Sequence, residues 1–302
     1  MAEIPTGELA ALLTALCWTA TAIAFEAASR KVGSVPVNII RLMMALVMIS
    51  LFSWLRRGMI LPFDATAHNW LWLTVSGLIG FVIGDLFLFK AFTVIGSRLT
   101  LLIMTLVPPI AAFVSWMLLG ESMAPIHLLA MGLTISGIAT VIIHKHSNKK
   151  KPGQVLKKLS LTGVLFALMG TIGQATGLVF SKYGMGDYDA FSANQIRVIA
   201  GIIGFAIVIH VFKKWVAVNN AFKNTKALKI MLVGAILGPF LGVSLSLIAV
   251  KHTAAGIAST LMSISPILIL PATYFLYREH VSRREVIGAL ISICGVALFF
   301  LW

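Results

Sequence analysis

Residues 91–121 read AFTVIGSRLTLLIMTLVPPIAAFVSWMLLGE, an apolar run broken by Pro108-Pro109 and closed by Glu121. Residues 249–279 read AVKHTAAGIASTLMSISPILILPATYFLYRE. Ala91 pairs with Ala249, Met104 with Met262, Pro108 with Pro266 and Glu121 with Glu279, each 158 positions apart. Nearer the start of each copy the spacing is 156, matching Gly7 with Gly163, Asn38 with Asn194 and Arg41 with Arg197. A repeat of this length makes the chain two copies of one unit.

The solvent of that unit is lipid. Of the 302 residues 59% are hydrophobic and 11% charged, and the mean hydropathy is +0.98. Soluble domains carry about 25% charged residues, so this chain lacks the polar surface to cover itself in water. Its net charge of +14 lies between apolar runs rather than on a basic face, which argues against nucleic acid as a partner. MAEIPTGE has no basic segment or cleavage site before the first apolar run, which is therefore expected to be a retained helix.

Ten apolar segments have spanning length, approximately 8–29, 35–55, 70–92, 96–119, 125–143, 160–182, 190–212, 228–250, 254–277 and 284–301. Open sheet edges do not survive in hydrocarbon and no strand alternation is present, so these spans are predicted to be helices. The basic stretch HKHSNKKKPGQVLKK at 144–158 divides them into a unit at 7–143, a linker at 144–159 and a unit at 160–302. Of the 24 Lys and Arg, three (Arg41, Lys90, Arg197) are counted with the spans and four (Arg56, Arg57, Lys182, Lys251) with the loops after even-numbered spans, the span-end residues Arg98, Lys182, Lys229 and Arg284 being taken with the adjoining loops. The remaining 17 follow odd-numbered spans, which makes those loops and the linker cytoplasmic and places both termini outside. Five spans per unit invert the second copy relative to the first, a pattern of transporters with a site at the repeat interface.

Ionisable groups at membrane depth cost on the order of 2.5–3.5 kcal/mol on insertion scales, so each needs an account. Arg41 and Arg197 occupy duplicated positions, where they either snorkel and cap neighbouring carbonyls or hold a carboxylate. Asp85 has Val243 as its duplicate, so the acid is not part of the shared framework. It can pair with Arg41, bind an ammonium or carry a proton. Trp18 and Gln174 are equivalents that offer an aromatic face opposite an amide. Met104 and Met262 add apolar surface, and Ser244 and Ser263 add hydroxyls that either face a cavity or bond back to their own helices. Pro108 and Pro266 are expected to interrupt spans 4 and 9 at equivalent points. Ser76, Gly80 and Gly84, repeated as Gly234, Gly238 and Gly242, predict close helix packing.

LLTALCWTATAIAFEAAS at 12–29, the arginine of span 2, the Ala…Pro…Glu pattern of spans 3–4 and the closing Gly of span 5 resemble an EamA domain. Two in tandem resemble the ten-helix drug/metabolite transporter superfamily over 7–143 and 160–302. The resemblance implies an all-α integral membrane fold of two inverted five-helix repeats, with spans 1–4 and 6–9 around a central cavity and spans 5 and 10 peripheral. It implies export of amino acids, other metabolites or drugs, and some relatives move lipid-linked sugars. The four-helix multidrug relatives carry a glutamate in mid-helix 1, whereas Ala15–Thr21 here has no carboxylate.

The expected function is export of a small amphipathic metabolite such as an amino acid across the inner membrane by a secondary transporter. The alternatives are a flippase for a lipid-linked intermediate and a non-transporting scaffold. Partners are a small-molecule substrate and the bilayer, with a proton as candidate coupling ion, in a monomer or homodimer. No cofactor or metal is expected: Cys17 and Cys294 lie inside apolar helices, and His144 and His146 flank a lysine. Neither a nucleotide-binding loop, a nucleophile elbow nor HExxH occurs, so no enzyme activity is expected.

Overall fold

In the computed structural model, residues 5–147, 160–265, 267–268 and 283–301 are described. Pro266, Glu279 and the linker beyond residue 147 lie outside them. Every regular element among the described residues is helical. The first unit holds α1 (Thr6–Val32), α2 (Ser34–Arg57), α3 (Ala67–Gly77), α4 (Asp85–Met104), α5 (Val107–Leu119) and α6 (Pro125–Ser147). The second holds α7 (Leu161–Met185), α8 (Ala190–Val211), α9 (Trp215–Lys223), α10 (Thr225–Ala235), α11 (Val243–His252), α12 (Ala255–Met262) and α13 (Arg283–Leu301).

Six of the predicted spans (1, 2, 3, 6, 7 and 8) are helices long and apolar enough to cross a membrane, and shorter apolar helices occupy spans 4 and 5. Span 3 passes from α3 into α4 through a π-helical stretch, Leu78–Gly84. Span 8 does the same between α10 and α11 at Ile236–Gly242, 158 residues later. Their starts are capped at duplicated positions: the Thr66 side chain accepts from the Asn69 amide, and the Asn224 side chain accepts from the Ala227 amide. Spans 3 and 4 meet at Gly96, whose φ of 82° turns the chain inside α4.

Span 4 is interrupted beside Pro108-Pro109, as expected. The break falls just before this pair, at Thr105–Leu106, and the prolines occupy the first turn of α5, where no intrahelical N–H is required. The break recurs at Ser263–Ile264 after α12. The basic segment 213–229 follows α8. It contains α9, an amphipathic helix that buries Val218 and Ala221 and exposes Trp215, Val216 and Phe222.

The two units are inverted. Gly7 at the start of α1 packs against Ala249 and His252, while Lys182 near the end of α7 donates to the Thr253 carbonyl at 2.7 Å. At the other end, Gly163 at the start of α7 packs against Val94 and Ile95, and Glu26 near the end of α1 accepts from the Ser97 amide at 3.3 Å. Thus α1 begins at the face where α7 ends. The contacts obey the same exchange: α4 packs on α7 as α11 packs on α1, α2 meets α8, and α5 meets α12. α6 packs on α13 away from the centre, where the Ser292 hydroxyl donates to the carbonyl of its own duplicate, Thr134, at 3.1 Å.

Lipid tails are as apolar as leucine, so contact between spans depends on close packing rather than on the hydrophobic effect. The small-residue stripes supply it in two ways. A Cβ on Gly173 would stand 2.7 Å from the Gly84 Cα, and one on Gly177 would stand 2.8 Å from the Gly80 Cα, so α7 and span 3 meet backbone to backbone. Gly234, Gly238 and Gly242 instead form a groove filled by Phe25, Thr21 and Trp18 of α1.

Candidate functional site

A cavity of about 130 Å³ lies between the two units. An enclosed water needs roughly 10–15 Å³ by the same measure, so this space holds a small solute. Drug-sized ligands occupy roughly 300–1,000 Å³. Its walls come from α1, α2, both π-helical stretches, α4, α5, α7, α8, α11 and α12, and among the described residues none of α6 or α13 lines it. A π turn widens the helix and re-aims its carbonyls, a device common at functional sites. Here one such turn stands on each side of the cavity, at duplicated positions.

Trp18, Arg41, Asp85, Met104, Gln174, Arg197, Met262 and Ser263 all line this space. Ser244 does not: it is fully buried and accepts from the Asn194 amide nitrogen at 3.0 Å. The hydroxyls at the cavity also include those of Thr21, Ser246, Ser259 and Ser265. Pro108 stands behind the wall in the first turn of α5.

The two arginines have different surroundings. Arg41 is 4% exposed and forms an ion pair with Asp85, while its Nε donates to Asn38 Oδ1 at 3.1 Å. Its guanidinium also lies over the rings of Phe89 (4.7 Å) and Phe25 (5.2 Å). The second oxygen of Asp85 accepts from Gln174 Nε2 at 2.6 Å, and that nitrogen also reaches the Gly80 carbonyl in the π turn at 3.3 Å. Asp85 is 5% exposed, so both members of the pair are out of water and each needs the other.

Arg197 is 5% exposed, and its Nε is buried with no hydrogen-bond partner. Among the described residues its guanidinium forms no ion pair, and it rests over the Phe81 ring at 4.9 Å. Gly80 makes room for it: a Cβ there would stand 3.2 Å from Arg197 Nη2. Val243 stands at the duplicate of Asp85, so the second unit supplies no acid. Among the described residues, the ionisable groups lining the cavity are Arg41, Asp85 and Arg197, whose charges sum to one positive.

Trp18 and Gln174 stand at matched depth, each against the last glycine of a π turn. A Cβ on Gly242 would meet Trp18 Nε1 at 3.0 Å, and one on Gly84 would meet Gln174 Nε2 at 3.2 Å. The cavity therefore has a polar half with Arg41, Asp85, Gln174 and Arg197 on α2, α4, α7 and α8. Its less polar half has Trp18, Val243 and Met262 on α1, α11 and α12, and also carries the hydroxyls of Thr21, Ser246 and Ser259.

Among the described residues, polar ties between the units gather at the face where α1 begins. Arg56 and Arg57 pair with Asp189 across the units, Arg57 also pairs with Asp64, and the Tyr188 hydroxyl donates to Asp64 at 2.8 Å. Lys182 pairs with Glu121, which also accepts from the Ala255 amide at 3.0 Å. Burial alone would raise the Glu121 carboxyl, but hydrogen bonds from Lys182, Ser115 and that amide hold it below its usual 4.5. Burial likewise acts against Asp189, and Arg56 and the Ser192 groups hold it below 3.8. Both stay ionised at neutral pH, so the ties persist. Toward the opposite face the cavity continues past Phe25, Phe89, Phe92 and Leu101.

The sequence offered little sign of this network. Arg56, Arg57 and Lys182 read as loop charges and Glu121 as the residue closing a span, because their partners lie in the other unit.

Known proteins place this geometry. A solved crystal structure 16% identical in sequence has a TM-score of 0.72, covering 98% of this chain and 96% of its own, which shows the shared fold. An uncharacterized transporter of Bacillus subtilis (strain 168), YetK, is 28% identical over 150 residues, 49% of this chain. That match spans 43% of the relative's own length. The model of the EamA-like transporter family matches residues 5–143 and again 161–301. The chain thus has the helices of a multi-pass membrane protein, and it belongs to the EamA-like transporter family of the drug/metabolite transporter superfamily.

Proposed function

We propose that the protein is a secondary transporter of the inner membrane that exports a small amphipathic metabolite such as an amino acid. The observation that carries this reading is the cavity between inverted units, with buried charge on one wall and Trp18, Met104 and Met262 on others. Inverted repeats can exchange roles by rocking, which alternates access to a site between them. The ties at Asp189 and Glu121 then close one face, and the cavity opens toward the other. The excess of Lys and Arg in the loops after odd-numbered spans supports a cytoplasmic open face, with both termini outside. The polar half holds the charged end of the solute and the less polar half its side chain. A volume of about 130 Å³ favours a solute of this size over a lipid-linked one.

Counterflow in proteoliposomes tests the reading. Vesicles preloaded with an amino-acid mixture are expected to take up labelled amino acids only when the protein and a matching internal solute are both present. No uptake across the set, in protein shown to be folded, overturns the amino-acid assignment. Uptake of lipid-linked compounds in its place supports a flippase.

A further inference from the structure

We propose that Arg197 is the seat for an oxyanion on the transported solute and that Arg41 is not. The inference rests on the cavity being the transport chamber. The two arginines are duplicates, yet Asp85 forms its ion pair with Arg41 and reaches Arg197 only through space, while Val243 stands where a second acid would face Arg197. Arg197 is more than nine-tenths buried, lines the cavity and has an Nε without a partner. A lone buried guanidinium is unfavourable in the empty protein, and a planar carboxylate or a phosphate in its fork relieves that state. The guanidinium of Arg197 lies against the ring of Phe81 and Gly80 of the π turn, so its fork is open to the cavity that it lines. Since one positive charge is uncompensated among the lining residues, the matching solute is a small organic monoanion with an apolar body. A zwitterion can also use the seat through its carboxylate, but it must find its ammonium a partner among hydroxyls or displace Gln174 from Asp85.

The test uses the purified full-length protein and four probes: phenylacetate, phenyl phosphate, phenylacetamide and phenethylammonium. The readout is protection against thermal unfolding as a function of probe concentration. At least one oxyanion probe is expected to protect at a concentration roughly tenfold or more below that of the amide, from the strength of charge-assisted hydrogen bonds. The better of the two oxyanions identifies the group as carboxylate or phosphate. Arg197→Gln is expected to melt at a higher temperature than the parent, because it removes an unpaired buried charge, and to lose the preference for oxyanion over amide. A residue that merely supports the fold would lower the melting temperature instead. Val243→Asp keeps Arg197 and supplies the missing acid, so it is expected to weaken oxyanion protection by a similar factor while remaining folded.

Equal protection by the acid and its amide overturns the proposal. So does an Arg197→Gln protein that keeps the preference, or the absence of oxyanion protection in cooperatively melting parent protein. Failure of the transport reading looks different: oxyanions protect, yet no solute undergoes counterflow. Counterflow restricted to solutes without an oxyanion preserves the carrier and removes the seat.

Discussion

Asp85→Ala is expected to destabilise the protein by about 3–5 kcal/mol and to reduce transport to background, because it leaves Arg41 buried without its carboxylate. The cost comes from the stranded charge more than from the lost contact. Asn38 and the rings of Phe25 and Phe89 still touch the guanidinium, but none of them neutralises it. Arg41→Met combined with Asp85→Ala is therefore expected to recover most of the stability, since replacing both members of a buried pair by apolar groups is often neutral. Chemical unfolding of the four proteins closes the cycle. The pair serves the fold in this account, so the double variant should also transport. A folded double variant without transport would give Asp85 a direct part, as a proton carrier or as a contact to the solute.

Gly173→Leu is expected to prevent accumulation of folded protein in the membrane. Its Cβ would stand 2.7 Å from the Gly84 Cα and 2.9 Å from the Gly84 nitrogen, and backbone atoms cannot turn aside as a side chain can. The milder Gly173→Ala should cost about 1–3 kcal/mol, the usual range for overpacking. Gly132 provides the contrast. It lies in α6 with no atom within 4 Å of an added Cβ, so Gly132→Ala should be neutral or stabilising by up to about 1 kcal/mol through helix propensity. Melting temperatures of the alanine variants separate close packing from propensity, and equal effects at the two sites would contradict the backbone contact between α7 and span 3.

Much of this architecture is legible in the chain because duplication writes it twice. Met104 with Met262 and Arg41 with Arg197 give the copies, and five spans per copy give the inversion. Departures from duplication point to the site: Asp85 against Val243 separates the paired arginine from the lone one. Other features require coordinates. The π turns at Leu78–Gly84 and Ile236–Gly242 each admit an extra residue per turn, which changes neither composition nor hydropathy. The stripes ending at Gly84 and Gly242 mark them, but close packing in a regular helix has the same signature. Helix rotation is equally hidden. Ser244 and Ser246 are two residues apart, about 200° around a helix, so one binds Asn194 and the other faces the cavity. The break at Thr105–Leu106 rather than at Pro108 follows from proline's comfort in a first helical turn.

The most direct test of the alternating-access account joins the two units at the face the ionic ties close. In a background with Cys17 and Cys294 replaced by alanine, Glu121→Cys and Lys182→Cys place thiols where an ion pair now spans the units. A short bis-methanethiosulfonate linker then ties them, and counterflow is followed before linking, after linking and after reduction. Uptake at the level of empty liposomes when linked, restored by reduction, is the predicted result. Uptake that continues at the unlinked rate with the bridge in place would contradict rocking of the two units as the route across the membrane.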